Sequence, residues 1–551
     1  MYIQQWLENR PSTERVQLNF EGNPKPIFQN GDQLDTPAAG TGNELMLPLD
    51  VVQQYIDSTA YYEEETQSFI ITTTDKVIRF QTEQLTAWVN EKPYSLKIPV
   101  QKIEDIIYIP VDVLQSYYQF EWREDAVTGA VFLLQDGDVL QKAIVKATHA
   151  DETEITIHLR TEPTIKAPIA AELNVDESVM ILSEQSDWYH IQLENGWKGF
   201  VAKQNLVLNG TEVIHYEAKN SSVNIPWKPL GGKINLTWEA VYNKKPDFNS
   251  FIEMPGLNVI SPTWFDIEDD EGNISNKATK PFVTWAHSKG YQVWALFSND
   301  FDPDRTSKVL ANYEIRLHMI RQLLSYAELY NLQGINIDFE NVYLKDKSKL
   351  TQFVRELTPY LHEQNLVVSI DVTIRGGSEM WSLFADREEL GKTVDYMMVM
   401  TYDEHWAASP VAGSVASLPW TEAGIVDIMR EDKVPASKLL LGVPYYTRIW
   451  SEQFIDNKKK TTSKAVSMEA VDKIIKEKNL TPVFDEATGQ DYVEYTENEV
   501  INKIWIENEK SMRARIDIVK KYDLAGVASW ARVFGKAETW TAIKEALEKK
   551  P

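Results

Sequence analysis

Eight short apolar runs alternate with longer amphipathic stretches between residues 233 and 548. One such stretch, 306–330, repeats apolar side chains at the three- and four-residue spacing of a helix. Strands that alternate with helices form a parallel sheet covered by the helices, and eight such units predict a closed (β/α)8 barrel. An open doubly wound sheet is the competing interpretation, but the Gly-rich phosphate turn typical of its first strand is missing here. The predicted strands are 233–241, 257–265, 291–298, 334–340, 366–374, 394–403, 438–446 and 525–533.

The fourth run, GINIDFE at 334–340, alternates apolar side chains with polar ones. In a closed barrel one face of each strand contacts the outer helices and the other points into the lumen. The apolar side chains then pack outward, whereas Asn336, Asp338 and Glu340 point inward and approach the carboxyl end of the strand. Barrels of this kind place their active sites at that end. The run therefore predicts an active site that contains two carboxylates.

Two neighbouring carboxylates in a barrel repel each other and lose hydration, so one of them should hold a proton at a higher pH than usual. A protonated carboxylic acid beside an ionised carboxylate is suited to general acid catalysis with an electrostatic partner. The alternative is structural, because Asp338 and Glu340 could instead form ion pairs with an inward-facing Arg or Lys. No other predicted strand carries so many inward-facing charges, which favours the catalytic interpretation.

Four strand-end motifs occur in an order typical of one enzyme family. They are QGINIDFE at 333–340, MTYD at 400–403, GVPYYTR at 442–448 and AGVASW at 525–530. The stretch from 233 to 548 thereby resembles glycoside hydrolase family 18, the chitinase family, whose fourth-strand signature is Asp-Gly-x-Asp-x-Asp-x-Glu. The resemblance implies a (β/α)8 barrel and a glycosidase.

The resemblance also implies roles for individual side chains. Glu340 would be the general acid that protonates the glycosidic oxygen. The family uses the substrate's own 2-acetamido carbonyl as nucleophile, so the sugar at the cleavage site would be N-acetylated. Asp338 would orient the acetamido group and stabilise the positive intermediate, and Tyr402 would donate a hydrogen bond to the acetamido oxygen. Asp403 would contact the same sugar, and Trp530 would form an apolar floor beneath it.

Further substrate-binding candidates are Asn336, Tyr446, Arg448 and Glu404. Glu404 follows the sixth strand and could equally belong to an ordinary loop. For Tyr402 and Asp403 the alternative is a strand-end hydrogen bond, and for Trp530 it is core packing. The family resemblance implies no metal ion and no organic cofactor.

The chain departs from the family pattern at the fourth and third strands. Gln333 and Asn336 stand where the signature has aspartates, and FSND at 297–300 replaces the usual Ser-x-Gly-Gly. Asn336 should therefore leave Asp338 permanently anionic or shift the pH optimum. The variant NIDFENV resembles the spore and cell-wall branch of the family, which includes N-acetylglucosaminidases that degrade cortical fragments. Peptidoglycan or spore cortex is thus the favoured substrate, and chitooligosaccharides are the alternative.

The first 137 residues contain a repeat. LPLDVVQQY at 47–55 and IPVDVLQSY at 109–117 share five of nine positions, and each predicts a strand, a proline and a short helix. Chance similarity is the alternative. The segment resembles the small α+β domain named after the N-terminal region of copper amine oxidases. Because His149 is the only histidine among the first 150 residues, we expect no copper site.

Short strands at close spacing follow between 138 and 215. The pair Asn195-Gly196 between alternating aromatic residues is a strong signal for a β-hairpin. This segment resembles a bacterial Src-homology-3-like barrel, a type that often binds cell-wall peptide or glycan. Its aromatic side chains could form a platform that contacts peptidoglycan, or they could be packing residues. These side chains are Trp188, Tyr189 and Trp197.

Composition excludes several classes of function. A net charge of −26 makes nucleic acid an improbable partner, since binding phosphates requires a basic face. The chain has no cysteine and no apolar run of membrane-spanning length. The first residues lack the basic segment and apolar core of a secretory signal. The resemblances nevertheless predict an extracellular protein of the cell wall or spore surface, with an upstream export or anchor segment removed.

The predicted organisation has three domains and one linker. A glycosidase acting on β-linked N-acetylhexosamine glycans is the leading interpretation, and its rivals are an inactive carbohydrate-binding barrel and a surface adhesion protein. The presence of Glu340 favours the enzyme, because lectin-like relatives commonly lose the acid. The predicted segments are 1–137 (α+β domain), 138–215 (Src-homology-3-like barrel), 216–232 (linker) and 233–551 (glycosidase barrel), with 451–500 as a candidate insertion.

Overall fold

The computed structural model describes residues 10–20, 22–146, 156–215, 232–242, 247–455 and 458–549. Nearly all of the predicted linker therefore lies outside the described residues. The chain divides into two compact units. These are an N-terminal unit, Met1–Ile71 with Ile78–Ser221, and a C-terminal unit, Thr72–Val77 with Ser222–Pro551. No helix in the described part of the chain has both the length and the apolar character needed to cross a bilayer.

The first part of the N-terminal unit is a small α+β assembly of three sheets. The strand orders are β11-β12-β1-β2, β3-β10-β9 and β4-β5-β6-β7-β8. The strands are β1 Ile27–Gln29, β2 Asp32–Gln33, β3 Met46–Pro48, β4 Tyr61–Glu63, β5 Ser68–Thr72, β6 Val77–Gln81, β7 Thr86–Val89, β8 Lys92–Ser95, β9 Gln101–Ile103, β10 Ile106–Pro110, β11 Glu121–Glu124 and β12 Val131–Leu134, and the helices are α1 Leu49–Tyr55 and α2 Val111–Tyr117.

The two copies of the sequence repeat adopt the same local structure and pair with each other. In each copy a strand, β3 or β10, runs into a helix through a proline at the N-cap, Pro48 or Pro110. A residue at this position donates no intrahelical hydrogen bond, so the missing N–H of proline has no cost there. The two strands are antiparallel, with Leu47 opposite Ile109. The predicted strand–proline–helix pattern is thus present in both copies.

The second part of the N-terminal unit is a seven-stranded antiparallel sheet with the order β15-β14-β18-β17-β16-β13-β19. The predicted hairpin joins β17 to β18, and Gly196 takes the positive φ of 90° that its turn requires. Tyr189 and Trp197 are half-buried and pack against the core of this sheet. Packing therefore accounts for these two rings. The strands are β13 Val139–Val145, β14 Ile157–Arg160, β15 Ile169–Leu173, β16 Ser178–Gln185, β17 Trp188–Gln192, β18 Lys198–Ala202 and β19 Leu206–Val213.

The C-terminal unit contains the predicted closed barrel of eight parallel strands. The order is β20-β33-β27-β26-β25-β24-β23-β21, and pairing of β20 with β21 closes the cylinder. A short strand, β22, adds antiparallel to β21. All eight predicted strands are present. The strands are β20 Ile234–Glu239, β21 Val259–Ile267, β22 Ile274–Asn276, β23 Gln292–Ser298, β24 Gly334–Asp338, β25 Val367–Thr373, β26 Tyr396–Met400, β27 Leu439–Pro444 and β33 Gly526–Trp530.

Large side chains fill the lumen near the amino ends of the strands. Trp294 stacks on Tyr396 with ring centroids 5.7 Å apart. Gly334, the first residue of β24, makes room for this layer, because a Cβ atom there would lie 2.8 Å from the Trp294 side chain and from the Val367 carbonyl oxygen. On the outer side of β24, Phe339 stacks on Phe353 of the surrounding helical layer. The predicted inward and outward faces of this strand are both observed.

The helices lie around the barrel, with one correction to the prediction. The stretch 306–330 forms two helices instead of one, because Asn312 is extended and its side chain caps the second by accepting from the Glu314 N–H. The helices are α3 Lys280–Ser288, α4 Pro303–Ala311, α5 Tyr313–Tyr330, α6 Lys347–Glu363, α7 Arg387–Thr393, α8 Leu418–Glu431, α9 Met468–Glu477, α10 Glu509–Lys521 and α11 Ala537–Glu548.

A second, antiparallel sheet occupies the connection between β27 and β33. Its order is β29-β28-β32-β31-β30, and α9 follows β29. It begins at Tyr446, five residues before the stretch proposed as an insertion. Its own small core includes Val466, Val471 and Ile504. The strands are β28 Tyr446–Ile455, β29 Lys458–Ser467, β30 Val483–Asp485, β31 Gln490–Glu497 and β32 Val500–Ile506.

Candidate active site

Four polar side chains form a row across four neighbouring barrel strands. Asp266 of β21 is in register with Ser298 of β23, and Ser298 is in register with Asp338 of β24. On β25, Asp371 comes directly after the residue that is in register with Ile337, and Ile337 directly precedes Asp338 on β24. Asp371 is therefore level with Asp338. The Ser298 hydroxyl donates to Asp266 at 2.8 Å. The row lies at the carboxyl end of the strands, where parallel barrels place catalysis.

Asn336 lies one inward position below this row and is fully buried. Its side-chain oxygen accepts hydrogen bonds from the Trp238 indole N–H at 2.9 Å and the Ser261 hydroxyl at 3.1 Å. Its side-chain amide donates to Asp371 at 2.8 Å. The amide is therefore fixed in one orientation, with its donor turned toward a carboxylate from the next strand.

Two hydrogen bonds hold Glu340 in place through its backbone. Its side chain makes no hydrogen bond within the described structure. The Glu340 N–H donates to the side-chain oxygen of Asn299 at 3.0 Å, and the Asn299 amide donates back to the Glu340 carbonyl at 2.8 Å. Asn299 is buried and also donates to Thr306 at 2.9 Å. Asn299 belongs to FSND at 297–300, the third-strand motif that departs from the family pattern. This motif thus positions the end of the fourth strand.

Among the described residues, Asp338 and Glu340 lack a basic partner, whereas Asp266 pairs with Lys277 and Asp403 with Arg448. In the described part of the chain no Lys or Arg forms an ion pair with Asp338 or Glu340, and one carboxylate oxygen of Asp338 is buried without a hydrogen-bond partner. Burial of a carboxylate is costly unless it is paired or protonated. The structural ion-pair interpretation of these two residues is therefore not supported.

Burial and mutual repulsion raise the pKa of three acids in this cluster. Burial and the charge of Asp266 raise the pKa of Asp338 to about 7. Burial, with the charges of Asp338 and Asp403, raises the pKa of Glu340 well above its usual value. Burial and the charge of Asp338 likewise raise the pKa of Asp371. The first of the two expectations for Asn336, a permanently anionic Asp338, is wrong, because burial and Asp266 raise the pKa of Asp338. The second, a shifted pH optimum, stays a prediction.

Three predicted substrate-binding residues meet at the ends of the sixth and seventh strands. Asp403 has a positive φ of 60° and a half-exposed carboxylate. Tyr446 donates to that carboxylate at 2.7 Å, and Arg448 donates to the same oxygen at 3.1 Å. The Tyr402 ring lies 6.4 Å from the Tyr446 ring. Burial, together with the nearby carboxylates, raises the pKa of Tyr402 well above its usual value, which keeps its hydroxyl a hydrogen-bond donor.

The last two predicted residues, Trp530 and Glu404, have different contacts. Trp530 ends the eighth strand half-buried, with its ring 5.9 Å from Trp238, which binds Asn336. Its place at the base of the acidic cluster suits an apolar floor. The Glu404 carboxylate instead accepts hydrogen bonds from the backbone and hydroxyl of Ser417, at the start of α8. A helix N-terminus favours such a carboxylate, so the subsite role of Glu404 stays a prediction.

Sequence reasoning missed three residues of this cluster: Asp266, Asn299 and Asp371. Asp266 follows the predicted second strand, 257–265, but β21 extends to Ile267, and Asp266 accepts from Ser298. Asp371 occupies an inward position of the fifth predicted strand, and the same alternation that identified Asp338 could have found it. For Asn299 no sequence signal exists, because its contact depends on the approach of two strand ends. In the described residues no group of three or more His, Asp or Glu side chains is arranged to hold a metal ion.

The family comparison agrees with this geometry. The model of the family described as glycosyl hydrolases family 18 matches residues 237–534, which is more than half of the chain. The chain belongs to this family. Two further family models match the N-terminal unit, the copper amine oxidase N-terminal domain at 28–133 and the bacterial SH3 domain at 156–207. All three resemblances inferred from sequence motifs are confirmed.

Similar proteins include bacterial glycosylases and lytic enzymes. Glycosylase YvbX of Bacillus subtilis is 28% identical over 318 residues, which cover 56% of this chain and 88% of YvbX. A cortical fragment-lytic enzyme of Bacillus anthracis is 24% identical over 251 residues, which cover 45% of this chain and 57% of that enzyme. The match thus spans little more than half of the lytic enzyme.

Solved structures share the fold. A chitinase from Chromobacterium violaceum superposes with a TM-score of 0.51 at 20% identity, covering 58% of this chain and 100% of the chitinase. The Bacillus cereus spore cortex-lytic enzyme SleL gives a TM-score of 0.51 at 18% identity, covering 69% of this chain and 90% of SleL. Family 18 membership confirms the predicted barrel and the predicted class of glycosidase. The roles of individual residues remain proposals.

Proposed function

We propose that this family 18 protein hydrolyses β-linked N-acetylhexosamine glycans with retention, using the substrate's acetamido group as nucleophile. The observation that carries the proposal is the pair Asp338 and Glu340 at the barrel rim, half-buried and without a cation among the described residues. Two fully buried carboxylates of the same unit, Glu356 and Glu507, have arginine partners, so an unpaired pair needs a different explanation. Acid catalysis supplies one.

In the first step Glu340 gives its proton to the glycosidic oxygen as the bond from that oxygen to the anomeric carbon breaks. The acetamido carbonyl oxygen forms a bond to the same carbon, which produces a cyclic oxazolinium ion on the sugar. Water then attacks the anomeric carbon from the side opposite the acetamido oxygen. The bond from the acetamido oxygen to that carbon breaks, which restores the acetamido group, and the water gives a proton to Glu340, which acts as base. Glu340 thus ends each cycle protonated, as it began.

The surroundings of Glu340 suit this cycle. Its raised pKa keeps the carboxyl protonated before the reaction, and the charge of Asp338 contributes to that shift. Asp338 would accept the acetamido N–H and stabilise the positive oxazolinium ion. Tyr402 would donate to the acetamido oxygen, and Asp403, held by Tyr446 and Arg448, would contact the sugar hydroxyls. Trp530 would support the apolar face of the ring, as aromatic side chains do in sugar sites.

Peptidoglycan or spore cortex is the substrate we favour. The support is the similarity to the cortical fragment-lytic enzyme and the bacterial SH3 match, since that domain type is associated with wall contact. The same support favours an extracellular location at the cell wall or spore surface. Residues 138–215 would contribute contact with the wall. No cofactor enters any step.

Glycan digestion followed by mass spectrometry tests the proposal. Wild-type protein, Glu340→Gln and Asp338→Asn are each incubated with purified peptidoglycan, cortex fragments and chitooligosaccharides. The wild type should release new reducing ends ending in N-acetylhexosamine from at least one of them, and neither variant should do so. Retention is checked by the anomeric configuration of the first product, read by NMR.

Binding to the same glycans is measured alongside cleavage. Glu340→Gln should bind as the wild type does, because the amide preserves the size of the side chain. Binding without cleavage by the wild type would instead identify a carbohydrate-binding protein. Equal turnover by wild type and Glu340→Gln would remove Glu340 from its proposed role.

A further inference from the structure

A two-stranded ribbon in the C-terminal unit concentrates positive charge. β28 and β29 pair along ten residues each, from Tyr446 opposite Ser467 to Ile455 opposite Lys458. Residues 457–468 contain four lysines and no acidic residue, although the whole chain has a net charge of −26. This stretch is therefore positively charged, whereas the protein as a whole is acidic.

The lysines on the two faces of the ribbon differ in whether they form ion pairs. On one face Lys459 forms an ion pair with Glu452 at 2.5 Å, and Lys503 of β32 pairs with the same carboxylate at 2.9 Å. The opposite face carries Lys458, Lys460 and Lys464, which are exposed and form no ion pair within the described residues. Strand geometry spaces Lys458 and Lys460 about 7 Å apart, with Lys464 about 14 Å further.

The unpaired face is not the face that carries the active-site residues. Because side chains alternate along a strand, Tyr446 and Arg448 share their face with Trp450 and Glu452, whereas the three lysines share theirs with Ile449 and Gln453. Tyr446 and Arg448 bind Asp403 in the candidate active site. The three lysines therefore lie on the strand next to that of Tyr446 and Arg448, on the opposite face of the ribbon and outside the glycan-cleaving cluster.

We propose that Lys458, Lys460 and Lys464 form a docking surface for a carboxylate-bearing cell-wall glycan. A row of unpaired ammonium groups on an extended strand matches a polymer with carboxylates at intervals, and each contact adds a modest, salt-dependent attraction. A neutral polymer such as chitin offers no counter-charge. The surface holds the acidic protein on an anionic wall while the barrel cleaves, and it does not depend on the chemistry at Glu340.

A simpler role for these lysines is protection of a sheet edge. β29 is the edge strand of its sheet, and charged side chains on edge strands prevent unwanted pairing. Glutamate protects an edge as lysine does, but it repels carboxylates. The charge-reversed variant K458E/K460E/K464E thus keeps the edge function and removes the docking function, and K458R/K460R/K464R keeps both.

Sedimentation of the full chain with insoluble wall material tests the surface. Wild type, the Glu variant, the Arg variant and a control, K280E/K476E/K549E, are mixed with purified peptidoglycan sacculi stripped of phosphate polymers. The control reverses three lysines that are also exposed and also lack acidic partners in the described structure. At about 50 mM salt the Glu variant should bind at least about tenfold more weakly than the wild type. The Arg variant and the control should bind within about twofold.

Further arms identify the ligand chemistry. Sacculi with amidated carboxyl groups should bind the wild type as weakly as untreated sacculi bind the Glu variant, and insoluble chitin should bind all variants equally. If the wild type bound sacculi that keep their phosphate polymers but did not bind stripped sacculi, the assignment to carboxylates would be overturned. Wild-type binding by the Glu variant would overturn the docking surface. Because Glu340→Gln should still bind sacculi, failure of the proposed hydrolysis and failure of this surface give different results.

Discussion

Two kinds of carboxylate lie in the C-terminal unit, one fully buried and one half-buried, and they differ in their partners. Arg316 and Glu356 are both fully buried and form two hydrogen bonds of 2.8 Å. At the rim, the charges that act on Asp338 and Glu340 come from other acids. A buried ion pair is typical of a structural role, because each charge satisfies the other. Unpaired buried acids lower stability and are retained where their proton affinity is used.

The largest effect should come from removing the proposed general acid. Glu340→Gln should lower kcat by about 10²–10⁴, the range expected for loss of a general acid. Its melting temperature should not fall, since the variant loses a buried acid without a cation. Initial rates on the substrate identified by digestion, with calorimetry of the same samples, check both parts. The control Glu499→Gln changes an exposed acid and should keep the wild-type rate.

The matching change on the structural side should affect stability. Arg316→Met leaves Glu356 buried without its cation and should lower the free energy of unfolding by about 3–5 kcal/mol. The double variant R316M/E356M removes both charges and should recover much of that loss. Urea denaturation measures all three proteins. If the free energy of unfolding of Arg316→Met lay within about 1 kcal/mol of the wild-type value, the distinction between the two kinds of carboxylate would fail.

Stability should depend on pH through Asp338. Its pKa is raised from 3.8 to about 7 in the fold, so the folded protein holds a proton that the unfolded chain releases. The stabilising contribution is complete below about pH 4 and is lost as the pH rises through about 7. Asp338→Asn cannot ionise. It should therefore be more stable than the wild type at about pH 8, by up to about 4 kcal/mol, and equal to it near pH 4.

Thermal unfolding across that pH range measures the difference between Asp338→Asn and the wild type. Asp517→Asn, an exposed acid on α10, serves as the control and should give a difference that does not change with pH. A flat difference for Asp338→Asn as well would mean that Asp338 ionises normally in the fold.

The smallest effect should come from an exposed ion pair. Arg430 contacts Asp427 at 3.1 Å and Glu431 at 2.7 Å, but its side chain is 67% exposed. Solvent and salt screen such a pair, so Arg430→Gln should change the free energy of unfolding by less than about 0.5 kcal/mol. A cost comparable to that of Arg316→Met would show that burial is not what separates the two classes. Urea denaturation at low and high salt gives the value.

The sequence by itself determined the strands and the direction in which their side chains point. The alternation in 334–340 placed Asn336, Asp338 and Glu340 inward, and the strand-end motifs indicated the family. These properties follow from local periodicity and chain order, which a single strand expresses without its neighbours. The break at Asn312 was missed because one polar residue hardly disturbs a helical pattern.

Only the tertiary structure decided which residues share the site. Asp266 and Asp371 join Asp338 through the register of neighbouring strands, and Asn299 reaches Glu340 across a strand boundary. Register in a closed barrel is set by strand tilt and stagger around the whole cylinder. No single segment carries that information. The proton affinities of the acidic cluster are therefore a property of the closed barrel, although every acid in it can be read from the sequence.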